Sequence, residues 1–261
     1  MAEALTPAPA AAPPAGPPPE RPYRRRFVVA FVVLGVLLAA AAVGAVIIAM
    51  GDSAKPDVEW SSWEPTRSGS AGATEIATHL GPRYRLDDNK QLAAVRSGLP
   101  ALADRPAVVA VSRTTGDNTN DVQFVDGAPT IYLLCGLGDR CAIRGKGKPS
   151  QERAVLLRRE ALELALYSFR YLDPPGPVVV FLPPKPGSDP TLAMMFRRSD
   201  LQKYLDRPLA DTLALVPPKP KSLGKVEQSR LLSLTQRYLY QFSFQQAQDG
   251  TVVIVLDQPQ G

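Results

Sequence analysis

The chain is short of the side chains on which most enzymes and metalloproteins depend. Its 261 residues include one histidine and two cysteines. His79 is therefore the only side chain available as the base of a Ser-His or Cys-His pair, and the only imidazole for a metal. Near the end of a short helix it is expected to be a surface residue compatible with the helix dipole. No GxSxG or HExxH string occurs, so the serine-hydrolase elbow and the zincin helix are excluded. Charged residues make up 21% and hydrophobic residues 45%. That balance fits neither a wholly disordered protein nor a multi-span transporter.

Two partial motifs fail for want of parts. The string from Arg144 through Gly145, Lys146, Gly147 and Lys148 looks like a phosphate loop. However, Arg140 stands five residues before Gly145 where a glycine is needed, and Pro149 replaces the Ser or Thr after Gly147-Lys148. Asp117, Thr119 and Asp121 have calcium-loop spacing, yet Val122 occupies the glycine position and Ala128 that of the bidentate glutamate. Carboxylates are plentiful, but no spacing singles out a pair for hydrolysis. A non-catalytic protein is the first expectation and a carboxylate-dependent envelope hydrolase the second. No cofactor is expected.

What the sequence does contain is one long apolar run. From Phe27 to Met50 it has 24 residues without a charge. As a helix it would be about 36 Å long, enough to cross a hydrocarbon core of roughly 30 Å. Arg21, Arg24, Arg25 and Arg26 precede it, while Asp52, Lys55, Asp57 and Glu59 follow. The positive-inside bias puts the N-terminus in the cytoplasm and the bulk of the chain outside, in the plasma membrane of its host. A cleaved signal peptide has a shorter apolar region, so an uncleaved single-pass anchor is expected. Residues 1–26 carry eight prolines and seven alanines and are expected to be disordered or polyproline-like.

The expected organisation is a 1–26 tail, a 27–50 transmembrane helix, a 51–72 linker and a 73–261 extracytoplasmic domain. Trp60 and Trp63 in the linker are expected to pack onto the domain. Strands are predicted over 91–96, 107–113, 122–125 and 130–135, the last two joined as a hairpin through Asp126-Gly127-Ala128-Pro129. A buried central helix is predicted from Pro149 or Ser150 to about Leu172, with Arg159 and Glu163 paired one turn apart. Val178 to Leu182 and Thr191 to Phe196 read as partner strands, with helices predicted over 199–206 and 226–236. A final hairpin with alternating Tyr238, Tyr240, Phe242 and Phe244 turns at Gln248-Asp249-Gly250 and returns over 251–256. This order reads as α+β: a mainly antiparallel sheet with helices on one face.

Cys135 and Cys141 are most simply a disulfide in a domain outside the membrane. Between Arg140 and Arg159 stand seven cations, among them Arg140, Arg144, Lys146, Lys148 and Arg153, against Glu152 alone. Such a cluster is a possible polyanion-binding site for headgroups or an anionic wall polymer. The whole exported part holds 26 Lys and Arg against 23 Asp and Glu, so nucleic acid is not an expected partner. The expectation is a membrane-anchored binding or scaffolding protein of the cell envelope. Its partners would be the bilayer through residues 27–50 and an envelope protein or wall polymer. An accessory subunit of a membrane complex, adding a strand through the last hairpin, is a further reading.

Overall fold

A computed structural model describes residues 59–98, 107–114, 120–138, 141–142, 150–185 and 187–258. The apolar run at 27–50 and four of the basic residues, Arg140, Arg144, Lys146 and Lys148, lie outside these. Among the described residues no helix is long and apolar enough to cross a membrane.

The packed body is Glu59–Gly261, so it begins inside the stretch expected as linker. Trp60 is buried and packs edge-on against Tyr167 and Tyr171. Helix α1 (Gly69–Leu80) is followed by β1 (Ala94–Ser97), β2 (Ala107–Thr114), β3 (Asn120–Phe124) and β4 (Thr130–Cys135). Then come α2 (Gln151–Tyr167), β5 (Val178–Phe181), β6 (Leu192–Phe196) and α3 (Arg198–Leu205). Helix α4 (Lys225–Thr235) leads into β7 (Leu239–Gln246) and β8 (Val252–Asp257). The strands form one sheet in the order β1-β4-β5-β6-β7-β8-β2-β3. Only β4–β5 and β2–β8 are parallel pairs. The domain is α+β with a mostly antiparallel sheet, as the element order predicts.

Helix α2 shows why the sequence folds this way locally. Ser150 caps it, its Oγ accepting the Arg153 N–H at 3.2 Å, which satisfies one of the first-turn donors. From Val155 to Tyr167 its leucines and alanines are buried nearly all round, the mark of a central helix. The last turn widens into a π-turn over Ser168–Leu172, and Asp173 leaves in the left-handed region at φ 45°. Pro174 and Pro175 then forbid continuation.

Alternation along the strands sorts the core into two faces. Tyr132, Val178, Val180, Met194, Phe196 and Leu239 join the helices. Val109, Val179, Phe181, Met195, Tyr240 and Ile254 form a second cluster that contains no helical residue. Curvature buries that second face. On a flat sheet β3 and β4 would stand six strand spacings apart, about 29 Å. Residues 125–129 alone join them, and such a link spans at most about 21 Å. The sheet must roll. Val125, just past β3, donates to the Val109 carbonyl at 2.8 Å and packs with Ile131 in the second cluster.

Three expectations need correction. The 126–129 turn exists, but β3 and β4 do not pair: β3 lies on β2, and β4 lies between β1 and β5. Turn chemistry reports a reversal and is blind to partner choice. Residues 91–93 make only a bridge, Arg85 to Gln91, before β1 starts at Ala94. The last hairpin offers no free edge, because β7 is flanked by β6 and β8, and β8 by β7 and β2. The premise for strand addition there is removed.

Candidate functional site

A groove of about 740 Å³ opens beside the N-terminus of α1. Its walls come from the first turns of α1 (Gly69 to Thr74), the end of β1 (Arg96 to Gly98), the β3–β4 turn and the proline segment after α2. Backbone approach builds it. A Cβ at Gly72 would meet the Arg67 carbonyl and, at 2.5 Å, Leu172. Gly127, at φ +80°, presses its Cα side against the Pro175 carbonyl and the Gly176 nitrogen. Only glycine has neither the steric bulk nor the backbone penalty at that spot. Thr74 and Ser97 share a hydrogen bond at 2.7 Å across the groove wall.

The groove's lining is poor in chemistry. Among the described residues Arg96 is the only charged one in the lining, and none is an acid, histidine or cysteine. The hydroxyls of Ser70, Thr74, Ser97 and Thr130 face no base there. The nearby Glu75 carboxylate is committed elsewhere: the Arg67 guanidinium and the Thr66 hydroxyl and backbone hold its pKa down to about 2. Such a lining can bind by shape, hydrogen bonds and one exposed cation. Among the described residues of the lining no acid–base pair is brought together.

Three charged groups of α2, Arg159, Glu160 and Glu163, sit elsewhere and are buried. Arg159 donates to Glu163 Oε2 at 3.0 Å, to the Tyr84 hydroxyl and to the Ala214 carbonyl at 2.6 Å. Tyr84 in turn donates to Glu163, whose other oxygen accepts from Arg83 at 3.1 Å. Burial pushes the Tyr84 hydroxyl well above its ordinary range, with Glu163 adding to the effect. Glu160 is also fully buried, and neither of its oxygens has a hydrogen-bond partner among the described residues. Burial, then Glu163, push its carboxyl well above the usual range against the pull of Arg159. It is held neutral rather than paired.

His79 stacks flat on Trp63 with ring centroids 3.9 Å apart. Burial, then the nearby Arg83, lower its pKa. It is a packing residue at neutral pH rather than a charged surface residue. Cys135 and Cys141 form a disulfide, as expected. The loop is also stitched by Gly136 N–H to the Cys141 carbonyl at 2.8 Å and Gly138 N–H to that of Ala142 at 3.0 Å. Of the five basic candidates only Arg153 is described, half-buried in the first turn of α2. Among the described residues no three His, Cys, Asp or Glu gather as a metal site.

Sequence reasoning found the Arg159–Glu163 pair from its spacing and missed the groove. Five separate segments of the chain build that groove, and no local pattern signals it. No family model, no curated protein and no solved structure matches this chain.

Proposed function

We propose that this chain is a single-pass membrane-anchored protein whose extracytoplasmic domain binds an envelope partner without catalysing a reaction. The groove beside α1 is its binding surface. One observation carries the reading: a 740 Å³ groove whose lining, among the described residues, has hydroxyls, prolines and one arginine but no acid, histidine or cysteine. Concave surfaces of this size are where ligands bind, and the described lining of this one offers hydrogen bonds and a cation. The carboxylate-hydrolase alternative draws no support from it. The anchor rests on the length of the 27–50 run and on its arginine flank. The disulfide is consistent with an oxidising compartment outside the membrane.

The test is photocrosslinking in living cells, with a photoreactive side chain placed at Ser70 or Arg96 in the groove and at exposed Gln202 as control. Discrete adducts to an envelope component from the groove positions alone are expected. Equal adducts from Gln202, or none from the groove, would overturn the binding surface. Orientation is tested separately with an impermeant amine label, which should reach the lysines of the domain in intact cells.

A further inference from the structure

Between α3 and α4 two hydrophobic residues stand in solvent. Leu215 is 55% exposed and Val216 79%. They are held there from within. Buried Arg159 donates to the carbonyl of Ala214, and Arg83 donates to that of Leu215. The backbone is thus fixed from beneath while the side chains face out.

Cations surround this tip. Lys219 Nζ donates to Asn89 Oδ1 at 2.7 Å, and the Lys221 N–H donates to Asp87 Oδ1 at 3.0 Å. These bonds join the 215–226 connector to the 85–91 turn. The joined face exposes Arg85, Lys90, Lys219, Lys221 and Lys225. Its acids are Asp87 and Asp88, the latter ion-paired to Lys90 at 3.1 Å. Val226, 85% exposed, follows Lys225. Apolar tips set among lysines are the pattern that an anionic bilayer surface attracts, through headgroup charge and shallow apolar insertion.

The point where the chain enters the domain lies close by. The carbonyl of Trp60 accepts the Leu209 N–H at 2.8 Å, and Leu209 is six residues from Leu215, at most about 21 Å along the chain. Under the anchored reading, eight residues separate Met50 from Glu59, a reach of at most about 32 Å. A tether that short keeps a face near the entry point at high effective concentration against the membrane.

We propose that the 215–226 connector and the 85–91 turn form a membrane-docking face that seats the domain on anionic phospholipid headgroups, with Leu215 and Val216 entering the interfacial layer. This rests on the anchored reading given above.

The test uses the full chain reconstituted in vesicles of zwitterionic lipid, with and without anionic phosphatidylglycerol, carrying an environment-sensitive fluorophore at position 216 or, as control, at 202. In anionic vesicles the probe at 216 should shift to the blue and be quenched by bilayer-borne nitroxides, while the probe at 202 should not. The combined variant Lys219→Gln, Lys221→Gln, Lys225→Gln should lower the docked-to-undocked ratio by about tenfold or more at low salt. Tryptophan fluorescence checks that the variant is folded. A chain that stays with the vesicles through alkaline extraction, yet keeps position 216 in water, overturns the docking face and leaves the anchor standing. A chain released by alkaline extraction overturns both. Lysine-dependent protection of position 216 by a soluble anionic wall polymer, but not by anionic vesicles, overturns the lipid assignment.

Discussion

Arg159 and Glu163 meet 3.0 Å apart with both side chains sealed from water. The pair is a spacing-four contact on one helix, yet its other bonds reach Tyr84, Arg83 and Ala214. It therefore clamps α2 to two segments far away in sequence. Burying two charges is costly, and once they are buried, removing one partner leaves the other uncompensated.

Glu163→Gln should accordingly destabilise the domain by about 3–5 kcal/mol. Trp60 and Trp63, the chain's two tryptophans, both pack against Tyr167 of α2. Urea unfolding of the detergent-solubilised chain, followed by their fluorescence, measures the loss. A change below about 1 kcal/mol, the range of exposed pairs, would mean that the pair is not buried.

Glu160 gives the domain a pH dependence of opposite sign to a paired carboxylate. Its folded-state pKa is raised above the unfolded value. The stability linked to it is full below the unfolded pKa of about 4.5 and is lost as pH rises through the folded pKa. Glu160→Gln keeps the shape and removes the titration. The variant should gain on the wild-type chain steadily as pH rises from 4.5, and unfolding curves at a series of pH values would show it. Parallel stability profiles for the two chains would contradict the buried neutral acid.

Gly127→Ala should weaken the turn that forms one wall of the groove. The residue sits at φ +80°, which costs a side chain about 1–2 kcal/mol, and the new Cβ would strike Pro175 backbone. A loss of about 2 kcal/mol or more in the same unfolding assay is expected. Crosslinks from Arg96 should fall with it.

Reducing Cys135–Cys141 releases a loop of sequence separation six. Chain entropy for so short a loop gives about 2.4 kcal/mol. The urea midpoint should drop in dithiothreitol, while the paired variant Cys135→Ala, Cys141→Ala should begin at the lowered midpoint and ignore the reductant.

Elements were legible in the sequence because their signals are local. Valine-rich β5 and the alternation of Tyr240, Phe242 and Phe244 announce strands, and Asp173-Pro174-Pro175 announces the end of α2. Partnership was not legible. The Asp126-Gly127 turn has hairpin chemistry, yet the rolled sheet sends β3 and β4 to different neighbours, a choice made by packing on both faces at once. The disulfide followed from the close spacing of the chain's only two cysteines. The neutrality of Glu160 did not follow, because Arg158 and Arg159 stand beside it in sequence and only the fold shows that neither reaches its carboxyl.

The parallel contact from Ala107 against Val252 to Ser112 against Asp257 sets a timetable for biogenesis. Strand β2 emerges from the ribosome with its neighbour β3 and then waits for almost the whole remaining chain before β8 arrives to join it to β7. During that interval a valine-rich ribbon has an open side, the condition under which nascent chains stick to one another. A chain cut short just before residue 252 would lack the strand that joins β2 to β7, leaving both with an open edge.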